Sequence, residues 1–301
     1  MEVAVTGSHG LIGTELCAAL QAAGHRPVRL VRGGTTTADT IAWDPRVGTI
    51  DSAAFEGIDA VVNLAGAGIG DKRWTDARKQ LILESRTRGT RLLADTISVL
   101  PKRPSVFVSA SAVGYYGNRG DEELTEVSVA GDDFVAHVCT EWESATALAT
   151  VSGIRVVTIR TGLVLSSKGG VLQRLLIPFR LGLGGRTGSG SQYMSWITLE
   201  DEVAAILHAL STPELVGPVN LTAPNPVTNA EFTATLGQAL HRPTVLPTPL
   251  LPLRALYGDE LVKSLLLDGQ RVLPARLDAT GFRFEFTELG PALRHVLDAG
   301  R

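Results

Sequence analysis

A short apolar run, Val3-Ala4-Val5-Thr6, passes directly into Gly7-Ser8-His9-Gly10-Leu11-Ile12-Gly13, with glycines spaced three and three apart. No other stretch of this chain constrains its fold as tightly, because strand, turn and helix start are all set within it. Gly7 lets the backbone turn sharply out of the strand, Gly10 removes a side chain where a pyrophosphate approaches, and Gly13 lets the following helix pack closely. The N–H groups that open that helix face the phosphates, with the positive end of the macrodipole behind them. Leu11, Ile12, Leu16, Leu20 and Ala23 recur at helical spacing, Gly24 supplies a stop, and Val28-Arg29-Leu30-Val31 follows as a second apolar strand. This βαβ unit predicts a dinucleotide site in which Thr6, Gly7, Gly10, Leu11, Ile12 and Gly13 lie against the cofactor.

The second strand ends in Arg32, where an acidic residue would hold the ribose hydroxyls of NAD. A guanidinium there suits the adenosine 2′-phosphate, so the expected cofactor is NADP(H). Arg29, three positions earlier, is expected to point to the other face of the strand.

The 301 residues suffice for a large core, and the net charge of −3 points away from nucleic-acid and anionic-membrane partners. The first strand begins at residue 3, which leaves no room for a signal segment, and no later stretch is long and apolar enough to span a bilayer; a cytoplasmic protein is expected. The two cysteines, Cys17 and Cys139, form neither a disulfide framework nor a metal-ligand spacing, so no metal is expected.

Asp59 to Gly66 reads as a third buried strand ending in small residues, and Trp74 to Leu100 as a long helix. Ser105 to Ser109 is a strand, Ala110 to Gly117 a loop, Asp133 to Ala149 a helix and Arg155 to Arg160 a further strand. The alternation predicts an α/β fold: a Rossmann-type doubly wound parallel sheet over residues 1–165, completed by later segments, with a smaller C-terminal α/β substrate domain over 166–301. In that domain prolines separate helices near Leu199–Leu210, Asn229–Leu240 and Leu250–Leu267, and Thr287–Ala299 is an amphipathic last helix. Arg254, Gln270 and Arg271 are its candidate polar contacts to a cleft. Gly182 to Ser191 is a glycine-rich run that reads either as a lid carrying Arg186 or as an ordinary connection. Trp196 is a candidate cover for the same cavity, and Arg174 and Arg180 are further candidates by proximity.

These residues resemble the short-chain dehydrogenase/reductases in their extended form. Thr6 to Gly13 is similar to that family's TGxxGxxG loop, Asn63-Leu64-Ala65-Gly66 to its NNAG-type element, Ser109 to Gly117 to the strand and loop that carry its serine, and Ser195 to Ala204 to its WIHVDDVA segment. Further stretches, among them Arg73-Trp74-Thr75, Arg160-Thr161-Gly162-Leu163-Val164-Leu165 and Asn220 to Pro224, resemble an atypical branch of epimerase family proteins that carry their own C-terminal domain. The resemblance implies cofactor contacts at Asn63, Leu64, Ala65, Gly66, Ser109, Arg160, Gly162 and Leu163, a catalytic Ser111, and a homodimer.

The family's proton relay is a tyrosine with a lysine four residues later, on one helix face. With Glu143 aligned on the glutamate that often follows the lysine, the tyrosine place is Val135 and the lysine place is Cys139. Neither can do that chemistry. Tyr115 and Tyr116, close behind Ser111, are the stand-in candidates, with packing or substrate hydrogen bonding as the plainer reading. Cys139 reads as a structural thiol, His137 as no partner for it, and Asp132 and Asp133 as helix-capping carboxylates. Two functions stay open: an NADP(H)-dependent oxidoreductase or epimerase-like enzyme acting on a small unidentified substrate, and an NADP(H)-binding sensor or interaction protein without turnover.

Overall fold

The computed structural model describes residues 1–299. Its centre is an eight-stranded sheet whose strands run, from one edge to the other, Gly217–Leu221, Arg155–Thr161, Val106–Ala112, Ala60–Asn63, Glu2–Thr6, Arg26–Val31, Thr40–Asp44 and Thr49–Ile50. Neighbours are parallel throughout except for the last pair, which is antiparallel. The order reverses beside Glu2–Thr6, which places the switch point, and with it the ligand crevice of such sheets, at the carboxyl ends of Glu2–Thr6 and Ala60–Asn63. The doubly wound α/β fold is therefore present.

Strand alternation splits the core in two. Val3 and Val5 face a cluster with Leu16, Cys17, Leu20, Val203, Ile206 and Leu277, whereas Ala4 faces Trp43, Phe55, Leu93, Ile97 and Ile154 on the other side. Each fully buried Leu, Ile or Phe in these layers contributes roughly 1.5–3 kcal/mol of transfer free energy. Three strands of the sheet escaped the sequence reading, the two-residue edge strand Thr49–Ile50 among them. Thr40–Asp44 hides in a polar neighbourhood, with only Ile41 and Trp43 buried, and Gly217–Leu221 crosses the 165 boundary to become the edge strand beside Arg155–Thr161. A further core, with Leu172, Phe179, Trp196, Phe232 and Leu293, holds the C-terminal part together.

Helix limits shift where side chains intervene. The long helix is Asp76–Ser98, capped by Thr75, whose hydroxyl accepts the Arg78 N–H at 3.2 Å. The segment expected as one helix from Asp133 is two, Phe134–Ser144 and Ala147–Val151, with the Thr146 hydroxyl donating to the Glu143 carbonyl at 2.7 Å at the break. Leu250–Leu267 is likewise broken, into Leu250–Tyr257, Asp259–Val262 and a π-helical turn Lys263–Leu267, with Gly258 at φ +87° making the first break.

Candidate cofactor and substrate site

Gly7 sits at φ +64°, and a Cβ there would lie 2.8 Å from the Leu64 carbonyl carbon and oxygen. On Gly13 a Cβ would come within 2.3 Å of the Gly7 carbonyl oxygen, so this glycine admits the loop itself rather than the sheet. The helix that follows, Leu11–Ala22, begins at Gly10 with no side-chain cap and no acidic residue in its first turn. Its opening N–H groups thus lack the carboxylate or hydroxyl that usually satisfies them. A cradle of this kind fits the phosphates of a dinucleotide.

Beneath the loop, register sets Thr6 beside Asn63 and Asn63 beside Ser109. The Thr6 hydroxyl donates to Asn63 Oδ1 at 2.7 Å and accepts the Leu64 and Ala65 N–H groups at 3.0 and 3.2 Å. Asn63 Nδ2 donates to Thr90 at 2.8 Å and to Ser109 at 3.3 Å, and the Trp142 indole also donates to Thr90, at 2.9 Å. Thr6, Asn63 and Ser109 are buried and joined to one another. They hold Leu64, Ala65 and Gly66 in place at the sheet edge.

Arg32 is exposed just past the second strand, and no hydrogen bond or ion pair engages its guanidinium among the described residues. Arg29 does not turn away as its strand position suggested. Its side chain reaches the glycine loop and donates to the Ser8 carbonyl at 3.0 Å.

The opposite wall is made of side chains. Ser111 and Arg160 are register partners on adjacent strands, and both converge on Glu143 from the helix Phe134–Ser144. Ser111 Oγ donates to Glu143 Oε1 at 2.7 Å, while Arg160 grips the same carboxylate with Nε at 2.8 Å and Nη2 at 2.9 Å. Arg160 Nη1 donates to the Tyr116 hydroxyl at 3.0 Å, which donates onward to Asn220 Oδ1 at 2.6 Å. The Arg160 guanidinium also lies 3.4 Å from the Tyr115 ring centroid. Burial opposes the Arg160 charge, but the Glu143 carboxylate and the Tyr116 hydroxyl overcome that and raise its pKa above the ordinary arginine value. Tyr116 is completely buried, and burial pushes its phenol up, so its hydroxyl has no free face. Tyr115 is only partly buried, with no hydrogen bond to its hydroxyl among the described residues.

Val135 and Cys139 do not face an open cleft. They belong to an apolar cluster with Trp74, Ile82, Val138 and Leu261, against which Tyr257 and Leu265 also pack. Burial and the Glu143 charge push the Cys139 thiol up to about 12, which leaves it a neutral, structural thiol. Asp133 caps its helix, accepting the Ala136 N–H at 2.8 Å.

Most of the remaining candidates are occupied within the protein, whereas Arg180 is exposed with no hydrogen bond or ion pair to its guanidinium among the described residues. In the glycine-rich run Arg186 donates to the carbonyls of Gly188 and Ser189 at 3.0 and 2.8 Å, and Thr187 and Gly190 are tied to Asn229 and Ala230. Trp196 is fully buried and donates to the Asn225 carbonyl at 3.0 Å, so it fills the core rather than covering a cavity. Gly162 lets the chain run against Ser195, whose carbonyl accepts the Leu163 N–H at 2.7 Å. Arg174 pairs with Asp71 at 2.6 Å, Arg254 with Asp259 at 3.4 Å and Arg271 with Glu123 at 3.0 Å, while only the backbone carbonyl of Gln270 is engaged, accepting from Ser195 Oγ at 2.7 Å. Among the described residues no group of three or more His, Cys, Asp or Glu is placed to hold a metal ion, and no helix is long and apolar enough to cross a membrane.

Residues 3–221 match the model of the NAD dependent epimerase/dehydratase family. The chain belongs to that family. Within it, residues 248–296 match a domain of unknown function, DUF1731. An epimerase family protein of Mycobacterium tuberculosis is 47% identical over 294 residues, covering 98% of this chain and 97% of its own length. The crystal structure of human epimerase family protein SDR39U1 with NADPH superposes with a TM-score of 0.90 at 38% identity, covering 99% of each chain. UDP-glucuronic acid 4-epimerase from Bacillus cereus with NAD, at 16% identity and a TM-score of 0.78 over 99% of this chain and 96% of that one, shares the fold.

For this family member the DUF1731 match coincides with the pieces that carry Tyr257, Leu261 and Leu265 onto Val135 and Cys139. Sequence reasoning missed that cover, because the three side chains reach the site from more than a hundred residues away. It also missed that Arg160 and Glu143 form a pair. The signal available was two opposite charges at strand and helix positions otherwise lined by apolar residues.

Proposed function

We propose that the protein binds NADP(H) across the carboxyl edge of its sheet and acts as an oxidoreductase or epimerase of the short-chain dehydrogenase/reductase type on a small carbonyl or sugar-like substrate. One observation carries the cofactor reading: an uncapped, carboxylate-free helix start behind the Gly7 turn, with an exposed and unpaired Arg32 at the end of the next strand. The NADPH held by the human relative supports it. Gly7, Gly10 and the N–H groups of Leu11, Ile12 and Gly13 would hold the pyrophosphate, Arg32 the 2′-phosphate, and Leu64, Ala65 and Gly66 the adjoining edge. Thr6, Asn63 and Ser109 act by fixing that edge.

Bound there, the cofactor supplies or accepts a hydride. Ser111 and the unpartnered Tyr115 hydroxyl are the groups that would hold a substrate oxygen, and a proton arriving at Ser111 Oγ has Glu143 Oε1 at 2.7 Å to receive one in turn. Tyr116 and Arg160 keep Glu143 and Tyr115 in place. A second reading, binding without turnover, is favoured by the apolar cover over Val135 and Cys139, where the family's relay would stand. Incubation with NADPH and a panel of aldehydes, ketones and quinones separates the two. Loss of the reduced-nicotinamide absorbance that Ser111→Ala abolishes supports the enzyme, whereas tight NADPH binding with no consumption across the panel supports the second reading.

A further inference from the structure

Arg86 stands on the long helix Asp76–Ser98 and reaches the sheet edge at Gly66. Its guanidinium carbon lies 3.3 Å from the place a Cβ on Gly66 would occupy, and it stacks 5.0 Å from the centroid of the Trp142 ring. One hydrogen bond engages it, from Nη1 to the Ile82 carbonyl of its own helix at 3.0 Å. The neighbouring cations are answered: Arg160 has Glu143, Arg78 has the Gly68 carbonyl with Asp71 at 3.8 Å, and Arg174 has Asp71. Arg86 has no carboxylate. The charged or titratable groups that bear on it are the Cys139 thiol and Arg78, and desolvation lowers its pKa, as expected for a cation without a counter-charge.

A partly buried cation with unanswered N–H donors is costly unless a ligand completes it. Its position is informative too. Cys139, at the relay's lysine place, carries no charge, and Arg86 approaches that same thiol from the next helix. We propose that Arg86 is an oxyanion-binding group of the site, supplying from the helix Asp76–Ser98 the positive charge that Cys139 lacks, and taking a phosphate or carboxylate oxygen beside Gly66. The proposal rests on the cofactor reading above for the place of Gly66. The oxyanion is either the cofactor's pyrophosphate or a carboxylate on the substrate, and both present the paired oxygens a guanidinium fork accepts.

Full-length Arg86→Met and Arg86→Lys proteins, with melting temperatures to confirm folding, are compared with the unaltered chain by calorimetric titration with NADPH, NADH and oxalate. If the pyrophosphate is the partner, Arg86→Met weakens NADPH and NADH together by about tenfold, the order of one charge-assisted hydrogen bond, and Arg86→Lys recovers most of it. If a substrate carboxylate is the partner, both nucleotides bind as before and oxalate binding to the NADPH complex is lost in Arg86→Met but kept in Arg86→Lys. An Arg86→Met protein that folds and binds all three probes like the unaltered chain overturns the proposal, as does an unaltered chain that ignores oxalate while its nucleotide affinities withstand the substitution. Should the unaltered chain bind neither nucleotide, the cofactor reading falls by itself. Oxalate titration of the free protein then decides for Arg86, since binding that Arg86→Met removes keeps the site and no binding ends it. If Arg86→Met melts far below the unaltered chain, Arg86→Gln is judged by the same outcomes.

Discussion

The two sides of the crevice are built from different materials. The cofactor side is backbone: a turn at Gly7, a close approach at Gly13 and a helix start without a cap. The facing wall is side chains, with Ser111, Arg160 and Tyr116 gathered around Glu143 and an apolar cover over Val135 and Cys139. A backbone cradle depends on the absence of side chains and tolerates no substitution, whereas a side-chain wall can be rebuilt residue by residue while its strands stay put. That difference allows a chain to keep the family's nucleotide loop while Val135 and Cys139 stand at the places where the resemblance puts the relay's tyrosine and lysine.

The comparison breaks most visibly at Glu143. Arg160 is 3% exposed and Glu143 15%, so Glu143→Ala leaves a buried guanidinium with no counter-charge. The expected loss is about 3–5 kcal/mol, seen as a large drop in denaturation midpoint, with Glu143→Gln milder because it still accepts from Arg160 and Ser111. A midpoint unchanged by Glu143→Ala would mean that this pair does not hold the wall. On the cofactor side, Gly13→Ala drives a Cβ to 2.3 Å from the Gly7 carbonyl oxygen, and the loop must give. Overpacking of that kind costs roughly 1–3 kcal/mol and removes most NADPH affinity, measured by calorimetry. If Gly13→Ala binds NADPH normally, the backbone cradle is not the site.

Glu202, on the helix Leu199–Ser211, is bonded to Thr161, the strand neighbour of Arg160, and gives a test through pH. Its carboxyl is fully buried, accepts from Thr161 at 2.7 Å, leaves Oε2 without a partner, and is pushed up to about 8 by burial. A folded-state pKa above the unfolded one means stability that is fully present below the unfolded pKa and lost as pH rises through the folded pKa. The unaltered chain should therefore lose stability between about pH 4.5 and pH 8. Glu202→Gln should flatten that decline, by on the order of 1–3 kcal/mol at the upper end. Parallel pH profiles for the two proteins would remove Glu202 from the account.

The difference between the two sides also decides what could be read from sequence. Gly7, Gly10 and Gly13 announce their backbone roles by spacing alone, and the apolar strands that flank them fix their place in the sheet. Thr6, Asn63 and Ser109 were legible as edge residues but not as a buried network, because register between distant strands creates it. Arg29 was misjudged from strand alternation, since a long side chain two residues short of the strand's end can still reach the Ser8 carbonyl. The cover on Cys139 was invisible, because Tyr257, Leu261 and Leu265 come from a helix that Gly258 breaks in order to place them. Local chemistry is written in local sequence, and long-range contact is not.

Two smaller effects sharpen the contrast. Arg32→Ala should weaken NADPH by about tenfold and leave NADH unchanged, since only the 2′-phosphate distinguishes them at that guanidinium. Equal loss for both nucleotides would refute that role for Arg32.

The smallest effect is an expected silence. Cys139 is 2% exposed and its thiol is pushed up to about 12, so at pH 8 it is both covered and protonated. Iodoacetamide should leave it unmodified in the native protein and alkylate it once denaturant opens the fold, with mass spectrometry reading the peptide. The result has a direct bearing on the wall. Rapid native alkylation would require Leu261, Leu265 and Tyr257 to swing away from the helix Phe134–Ser144, opening the face that carries Val135 and Cys139. Protection would show that the C-terminal segment stays seated there, and that any proton transfer must come from the Ser111 and Tyr115 side.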